Sequence, residues 1–181
     1  MRQLALLRGI NVGGNNKLAM ATLRETFARA GAENVRTYIN SGNVIFDDTR
    51  PSEHLGAILA QAIADDSGLE LKVLLRDIES VRSVLAAIPE TWTTNKEMRT
   101  DVIFLWDHVD SPEVVDEVPA REGVDDIKYT PGAILWRADR DKLTRSGIGR
   151  LVGTDLYQNM TMRSSNTVLK LAAMMEERAA G

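Results

Sequence analysis

Apolar positions along this chain fall into short runs with two spacings, one suited to strands and one to helices, and their order outlines an α+β protein. Residues 4–10 are an apolar run broken by Arg8 and Gly9, the length of a buried strand, and Asn11-Val12-Gly13-Gly14-Asn15-Asn16 after it is turn-forming. Met20, Leu23, Phe27 and Ala30 then repeat at helical spacing, with Gly31 placed to end that helix in a left-handed conformation. Residues 35–40 and 43–46 are rich in β-formers and flank Ser41-Gly42, the pattern of a hairpin. Pro51 and Ser52 predict the start of a second helix, with Ser52 as its N-cap. Leu55, Ile58, Leu59, Ala62 and Ile63 are its apolar stripe and Gly68 its stop. Leu69, Leu71, Val73 and Leu75 alternate with Glu70, Lys72 and Arg76 as a half-buried strand. The resulting β-α-β-β-α-β order in residues 1–76 is that of a ferredoxin-like split βαβ plait.

Residues 77–181 predict a second α+β half. Asp77 precedes a helix with Ile78, Val81, Leu85 and Ile88 on one stripe, ended by Pro89, and residues 89–100 read as a loop. Residues 102–106 form an apolar strand, and Ser111-Pro112-Glu113 opens a short helix. Residues 127–129 and 133–137 flank Thr130-Pro131-Gly132 as a hairpin, and residues 139–153 are expected to be helical in part, against Gly147 and Gly149. The order is β-α-β-β-α, a degenerate plait without its last strand. A final helix over 165–178 carries Val168, Leu171, Ala172 and Met175, a stripe placed to close the core between the halves.

Composition narrows the classes. With 181 residues the chain has room for one domain or two small ones, and the absence of cysteine removes disulfides, thiol catalysis and zinc–thiolate or iron–sulfur sites. It also suits a reducing cytoplasm. The first apolar run is too short for a secretory signal, and no stretch approaches the roughly 18 apolar residues of a membrane span, so a cytoplasmic protein without a membrane partner is expected. A formal charge of −4 lacks the basic footprint of a nucleic-acid binder, and nucleic acid is not an expected partner.

Two polar regions carry candidate chemistry. In the first turn, Gly13 and Gly14 precede a helix start, where backbone amides and the helix dipole favour anions, and Lys17 and Arg8 add charge. The same glycines also suit a plain tight turn with Asn15 or Asn16 capping the helix. The spacing matches neither phosphate-loop fingerprint. Arg8 interrupts a strand expected to be central and buried, so it calls for a partner, either an internal carboxylate or a bound anion. Asn40, Ser41 and Asn43 surround the hairpin glycine, and in a plait the first and third strands are neighbours, which brings Asn11 toward Asn43. The second region is Arg163 to Lys170: Ser164 or Ser165 can cap the last helix, Arg163 precedes it, and Asn166 and Lys170 share a face. His54 is placed on an exposed helix turn. Asp107, His108 and Asp110 have only the loose spacing common in loops, and no metal is expected. The adjacent pairs Asp47-Asp48, Asp65-Asp66 and Asp125-Asp126 would point apart on a strand, and loop charges are their simpler reading.

The segment Leu6-Leu7-Arg8-Gly9-Ile10-Asn11-Val12-Gly13-Gly14, with Tyr38-Ile39-Asn40-Ser41-Gly42-Asn43-Val44, resembles the bacterial family called domain of unknown function 1697 (DUF1697). Met162-Arg163-Ser164-Ser165-Asn166-Thr167-Val168-Leu169-Lys170-Leu171 is similar to that family's last helix, with Ser164 and Ser165 where the family commonly carries Asn and Trp. The resemblance implies a two-part α+β protein with a ferredoxin-like first half and implies no activity. The leading expectation is a binding protein for a small anionic, phosphate or nucleotide-like ligand in a cleft between the halves, formed by Arg8, Asn11, Gly13, Gly14, Lys17, Ser41, Asn43, Arg163, Asn166 and Thr167. Two alternatives stay open: a structural or self-associating, oligomeric module without a ligand, and an enzyme whose reaction these residues do not identify. No cofactor is expected.

Overall fold

Both halves of the chain build a four-stranded antiparallel sheet around a middle strand shielded on both faces. The structure, a computed structural model, describes residues 1–11 and 14–177. Its described residues divide into two compact units, 1–79 together with 171–177, and 80–170. Among the described residues no helix is long and apolar enough to cross a membrane.

The first unit runs β1 (Arg2–Arg8), α1 (Met20–Arg29), β2 (Glu33–Tyr38), β3 (Asn43–Asp47), α2 (Ser52–Ser67) and β4 (Lys72–Asp77), with strand order β2-β3-β1-β4. This is the connectivity and order of the split βαβ plait. Ala5, Leu7, Val44, Phe46 and Val73 of the sheet pack against Leu23 and Phe27 of α1 and Leu55, Leu59 and Ile63 of α2. Phe27 meets Phe46 edge to face at 5.3 Å. Leu4, Leu6, Ile45 and Leu74, on the other face, are buried as well. That is why these strands read as continuous apolar runs rather than clean alternations. In α2, Ile58 is 43% exposed, so the stripe is narrower than expected, and Ser52 is the first helical residue after Pro51 with no side-chain cap. The unit is completed by the last turns of a C-terminal helix, α5 (Ser165–Glu176). Leu171, Ala172 and Met175 of that helix are buried. Arg2 donates to the carbonyls of Met175 and Glu177, and Arg36 to that of Met174, so two guanidinium groups meet the negative end of the helix.

The second unit starts within α3 (Ile78–Ala87), which follows β4 directly, so Asp77 is both the last residue of the strand and the residue before the helix. The unit then builds β5 (Met98–Leu105), β6 (Asp125–Thr130), β7 (Ala133–Asp139) and β8 (Met160–Ser164), in the order β6-β7-β5-β8. Position for position this is the strand order of the first unit. The expectation of a plait without its last strand is therefore corrected: β8 is that strand. Met160 and Met162 alternate with Thr161 and Arg163 across it, and it pairs with β5 from Asp101↔Ser164 to Leu105↔Met160. The crossovers differ from the first unit. The 3-10 turns Pro112–Glu117, Arg140–Arg145 and Ile148–Leu151 and the single turn α4 (Asp155–Gln158) stand where α1 and α2 stand in the first. Pro112, Gly147, Gly149 and Gly153 interrupt those segments too often for long helices. Val114, Leu151 and Leu156 still deliver apolar side chains to Ile103, Leu105, Ile134 and Trp136. β5 also begins earlier than its apolar run, because Thr100 and Asp101 are buried although polar.

Asp125 and Asp126 are not loop charges: they open β6 and diverge as strand neighbours, Asp126 pairing with Arg137 at 2.9 Å while Asp125 is buried. Burial alone would raise the Asp125 pKa. The Ser146 hydroxyl, the Gly147 and Arg121 amides and the Trp136 indole N–H all donate to the carboxylate and hold it below the ordinary value.

Two outcomes are expected. Gly42 has φ of 75°, and a Cβ there would stand 2.7 Å from Leu7 Cβ. Gly42→Ala should therefore lose about 3 kcal/mol in urea unfolding, from left-handed strain and overpacking together. Asp125→Asn should lose about 2 kcal/mol by the same measurement at neutral pH. Because the folded pKa is depressed, the Asp125 contribution is complete above the unfolded value of about 4 and disappears as pH falls through the folded one, so variant and parent should converge in acid.

Candidate functional site

The loop between β1 and α1 is organised by asparagine. Asn11 adopts φ of 51° and Asn16 φ of 49°, left-handed conformations that asparagine tolerates. The Asn11 carboxamide accepts from the Leu18 amide at 3.0 Å and donates to the carbonyls of Leu18 at 3.1 Å and Asn40 at 2.8 Å. Asn16 donates to the Gly9 carbonyl at 2.9 Å. One side chain therefore ties the loop to itself and to the β2–β3 hairpin. Asn11 does meet that hairpin, as the neighbouring strands require, but through Asn40 rather than Asn43. Asn43 is fully buried and donates to the Tyr38 carbonyl at 3.0 Å and the Ser41 hydroxyl at 2.9 Å, so Ser41 and Asn43 clasp the hairpin from within.

Between these loops lies a cleft of about 510 Å³, bounded by Asn11, Gly14, Lys17, Asn40 and residues 18–20. α1 starts at its wall. The N-cap residue is Ala19, in extended conformation with no side-chain hydrogen bond, and the first turn holds no acidic residue. Neither Asn15 nor Asn16 caps the helix, contrary to the simple-turn reading. Among the described residues no side chain caps this helix, so the positive end of its dipole opens on the cleft, and the exposed Lys17 adds a charge beside it. Gly14, with φ of 82°, has open space where a Cβ would stand. Gly13 lies outside the described residues. Arg8 is not a buried mid-strand cation. β1 is central, but Arg8 is its last residue, half-buried opposite Lys72, and it does not bound the cleft.

The second group of expected residues sits in the second unit. Arg163 lies within β8 opposite Val102, buried, and donates to the Thr161 hydroxyl at 2.9 Å and the Met162 carbonyl at 2.8 Å. Desolvation lowers its pKa to about 10. Ser164, on the opposite face of the strand, caps α5 by accepting from the Thr167 amide at 3.2 Å, and its hydroxyl lies 2.9 Å from that of Thr167. Asn166 donates to the Thr94 carbonyl at 3.2 Å. Asp110 accepts from the Gly132 amide and the Tyr129 hydroxyl, which closes the β6–β7 turn. His54 is exposed on α2. Among the described residues no group of three or more His, Asp or Glu is placed to hold a metal.

Sequence reasoning placed Asn40 among the polar hairpin residues but did not single out residues 18–20 as parts of the cleft, although the lack of a Ser, Thr, Asp or Asn immediately before Met20 was a legible sign of an uncapped helix. It also missed Ile39. Among the described residues four non-glycine positions have positive φ, and three are asparagine; the fourth is Ile39, with φ of 50° and half exposed, next to Asn40 in the cleft wall. A β-branched residue in that conformation is strained.

These features define an α+β protein of two antiparallel four-stranded units, with a polar loop cleft at the start of its first helix. The chain belongs to the family described as Protein of unknown function (DUF1697), whose model matches residues 1–136. Its structure is similar to that of the conserved bacterial protein SP0830 from Streptococcus pneumoniae, with 27% sequence identity, a TM-score of 0.83, and coverage of 97% of this chain and 98% of that one. Among curated proteins, no sequence matches. Ile39→Asn should stabilise the chain by about 1 kcal/mol in thermal unfolding, since asparagine relieves the left-handed strain without removing a buried contact.

Proposed function

We propose that the protein binds a small anionic ligand, phosphate or nucleotide-like, in the cleft at the start of α1. The observation that carries this reading is the missing cap. Ala19 offers no side-chain acceptor to the first turn of α1, and the cleft opens there, so an anion would take the place of the capping side chain. Lys17 supplies a countercharge, and the carboxamide of Asn11, locked in three hydrogen bonds, keeps the loop in shape before a ligand arrives. A volume of about 510 Å³ suits a nucleoside monophosphate better than a larger cofactor. The strained Ile39 beside Asn40 is consistent with a wall kept for binding rather than for stability. Hydrogen-bond donors and a single cation are recognition chemistry, and binding is the activity they support.

Replacing the cap tests the reading directly. Ala19→Asp puts a carboxylate where the anion is expected. It should stabilise the fold by about 1 kcal/mol while weakening calorimetric binding of inorganic phosphate and adenosine monophosphate at least about tenfold. Lys17→Ala should weaken both and flatten their salt dependence. Anion affinity unchanged by Ala19→Asp would overturn the assignment.

A further inference from the structure

A second cleft, of about 370 Å³, lies wholly within the second unit, bounded by Thr94, Arg99, Asp101, Arg140, Met162 and Ser164. Asp101 is 1% exposed in the middle strand β5, between Trp136 of β7 and Ser164 of β8. Arg99 places Nε at 2.9 Å and Nη2 at 2.7 Å from Asp101 Oδ2, with its guanidinium 5.5 Å from the centre of the Trp136 ring. The other oxygen, Oδ1, is buried and accepts no hydrogen bond; among the described residues no other buried side-chain oxygen or nitrogen is left so. A carboxylate oxygen withdrawn from water without a donor is costly, and a fold retains one where something outside the chain supplies the donor.

We infer that this cleft is a binding site for a small hydroxylated anion, such as a polyol phosphate or a hydroxy acid, whose hydroxyl donates to Asp101 Oδ1 and whose anionic group is held by Arg99 and Arg140. The hydrogen-bonding groups already used in the walls leave this pattern. Thr94 Oγ1 is engaged with the Thr100 backbone and the Ser165 hydroxyl, and Ser164 Oγ with Thr167. Arg140 is fixed at the rim by its Nε, which donates to the Asn95 carbonyl at 2.6 Å and leaves the end of the fork for a ligand. Arg99 already meets the charge of Asp101 on Oδ2, so a neutral hydroxyl suits Oδ1 better than an ammonium, which Arg99 would repel. Two guanidinium groups against one carboxylate give the cleft a charge of +1, which selects an anion, and the volume selects a small one. The site is independent of the cleft at α1.

Calorimetric titration of the intact chain with glycerol 3-phosphate, glycerate, inorganic phosphate and glycerol, with amide chemical-shift mapping, tests the assignment. At least one hydroxylated anion should bind with shifts centred on Thr94, Arg99 and Ser164. Its affinity should exceed that of inorganic phosphate about tenfold, the worth of one hydrogen bond to a charged group. The tighter of the two identifies the anionic group. Asp101→Asn, whose amide turns its oxygen to Arg99 and meets the ligand hydroxyl with a neutral N–H in place of a charged acceptor, should remove most of that preference. If Asp101→Asn does not fold, the exposed Arg140→Ala decides, since it should weaken about tenfold every anion whose titration moves the Thr94, Arg99 and Ser164 amides. Equal affinities for phosphate and the hydroxylated anions, shifts centred on residues 14–20, or affinities unchanged in both variants would overturn the inference.

Discussion

A strand buried on both faces leaves no neutral ground for a polar side chain: it must be matched by the protein, moved to the strand's end, or matched by something that binds. β1 and β5 are such strands, each between two neighbours, with Leu4 to Leu7 and Val102 to Leu105 almost inaccessible. In β1 the charged residues stand at the two ends, Arg2 held by Asp47 at 3.0 Å and Arg8 half-buried opposite Lys72. In β5 the constraint is met less completely, for Asp101 lies inside the buried span with one oxygen satisfied and one not. The two strands therefore differ in kind: one sets its cations at its ends, the other keeps inside its buried span a carboxylate oxygen that accepts no hydrogen bond.

The two units show how loosely crossovers are specified once a sheet order is set. Both place the first strand of the motif between the third and the fourth, yet one uses helices of 10 and 16 residues and the other 3-10 turns and a single helical turn. What the crossover must supply is apolar side chains at the right height, and Val114, Leu151 and Leu156 do so without a long helix. Polar anchors replace the missing regularity. Asp125 gathers four donors from three segments of the second unit, and Asp110 closes its hairpin.

Both clefts lie where local rules are broken. At α1 a helix of ordinary length begins without a cap, beside an isoleucine in a left-handed conformation; at β5 a buried oxygen lacks a donor. Sequences that fold well satisfy such details in most places, so departures concentrated in the walls of concave surfaces carry more functional weight than charge or composition. Net charge and residue content in this chain are ordinary, and they exclude classes without selecting one.

The amino-acid pattern alone determined the first plait, because helix period, strand alternation and turn glycines such as Gly31, Gly42 and Gly68 are local properties written in neighbouring residues. It left Asp125 and Asp126 as loop charges, because two adjacent carboxylates carry no local sign that they open a strand and that one of them is buried. It could not reveal β8, since an arginine in Met160–Ser164 looks like the polar lead-in to a helix until pairing with β5 shows that Arg163 is inside a sheet. It overestimated the burial of Arg8 for a related reason: a central strand was legible, but where its buried span ended was not. Tertiary structure decided the rest. Asn40 meets Asn11 across 29 positions of chain, and Asp101 meets Ser164 only through strand pairing, so neither cleft has a contiguous sequence signature. Local spacing encodes elements, whereas sites depend on distances that exist only after the chain has folded.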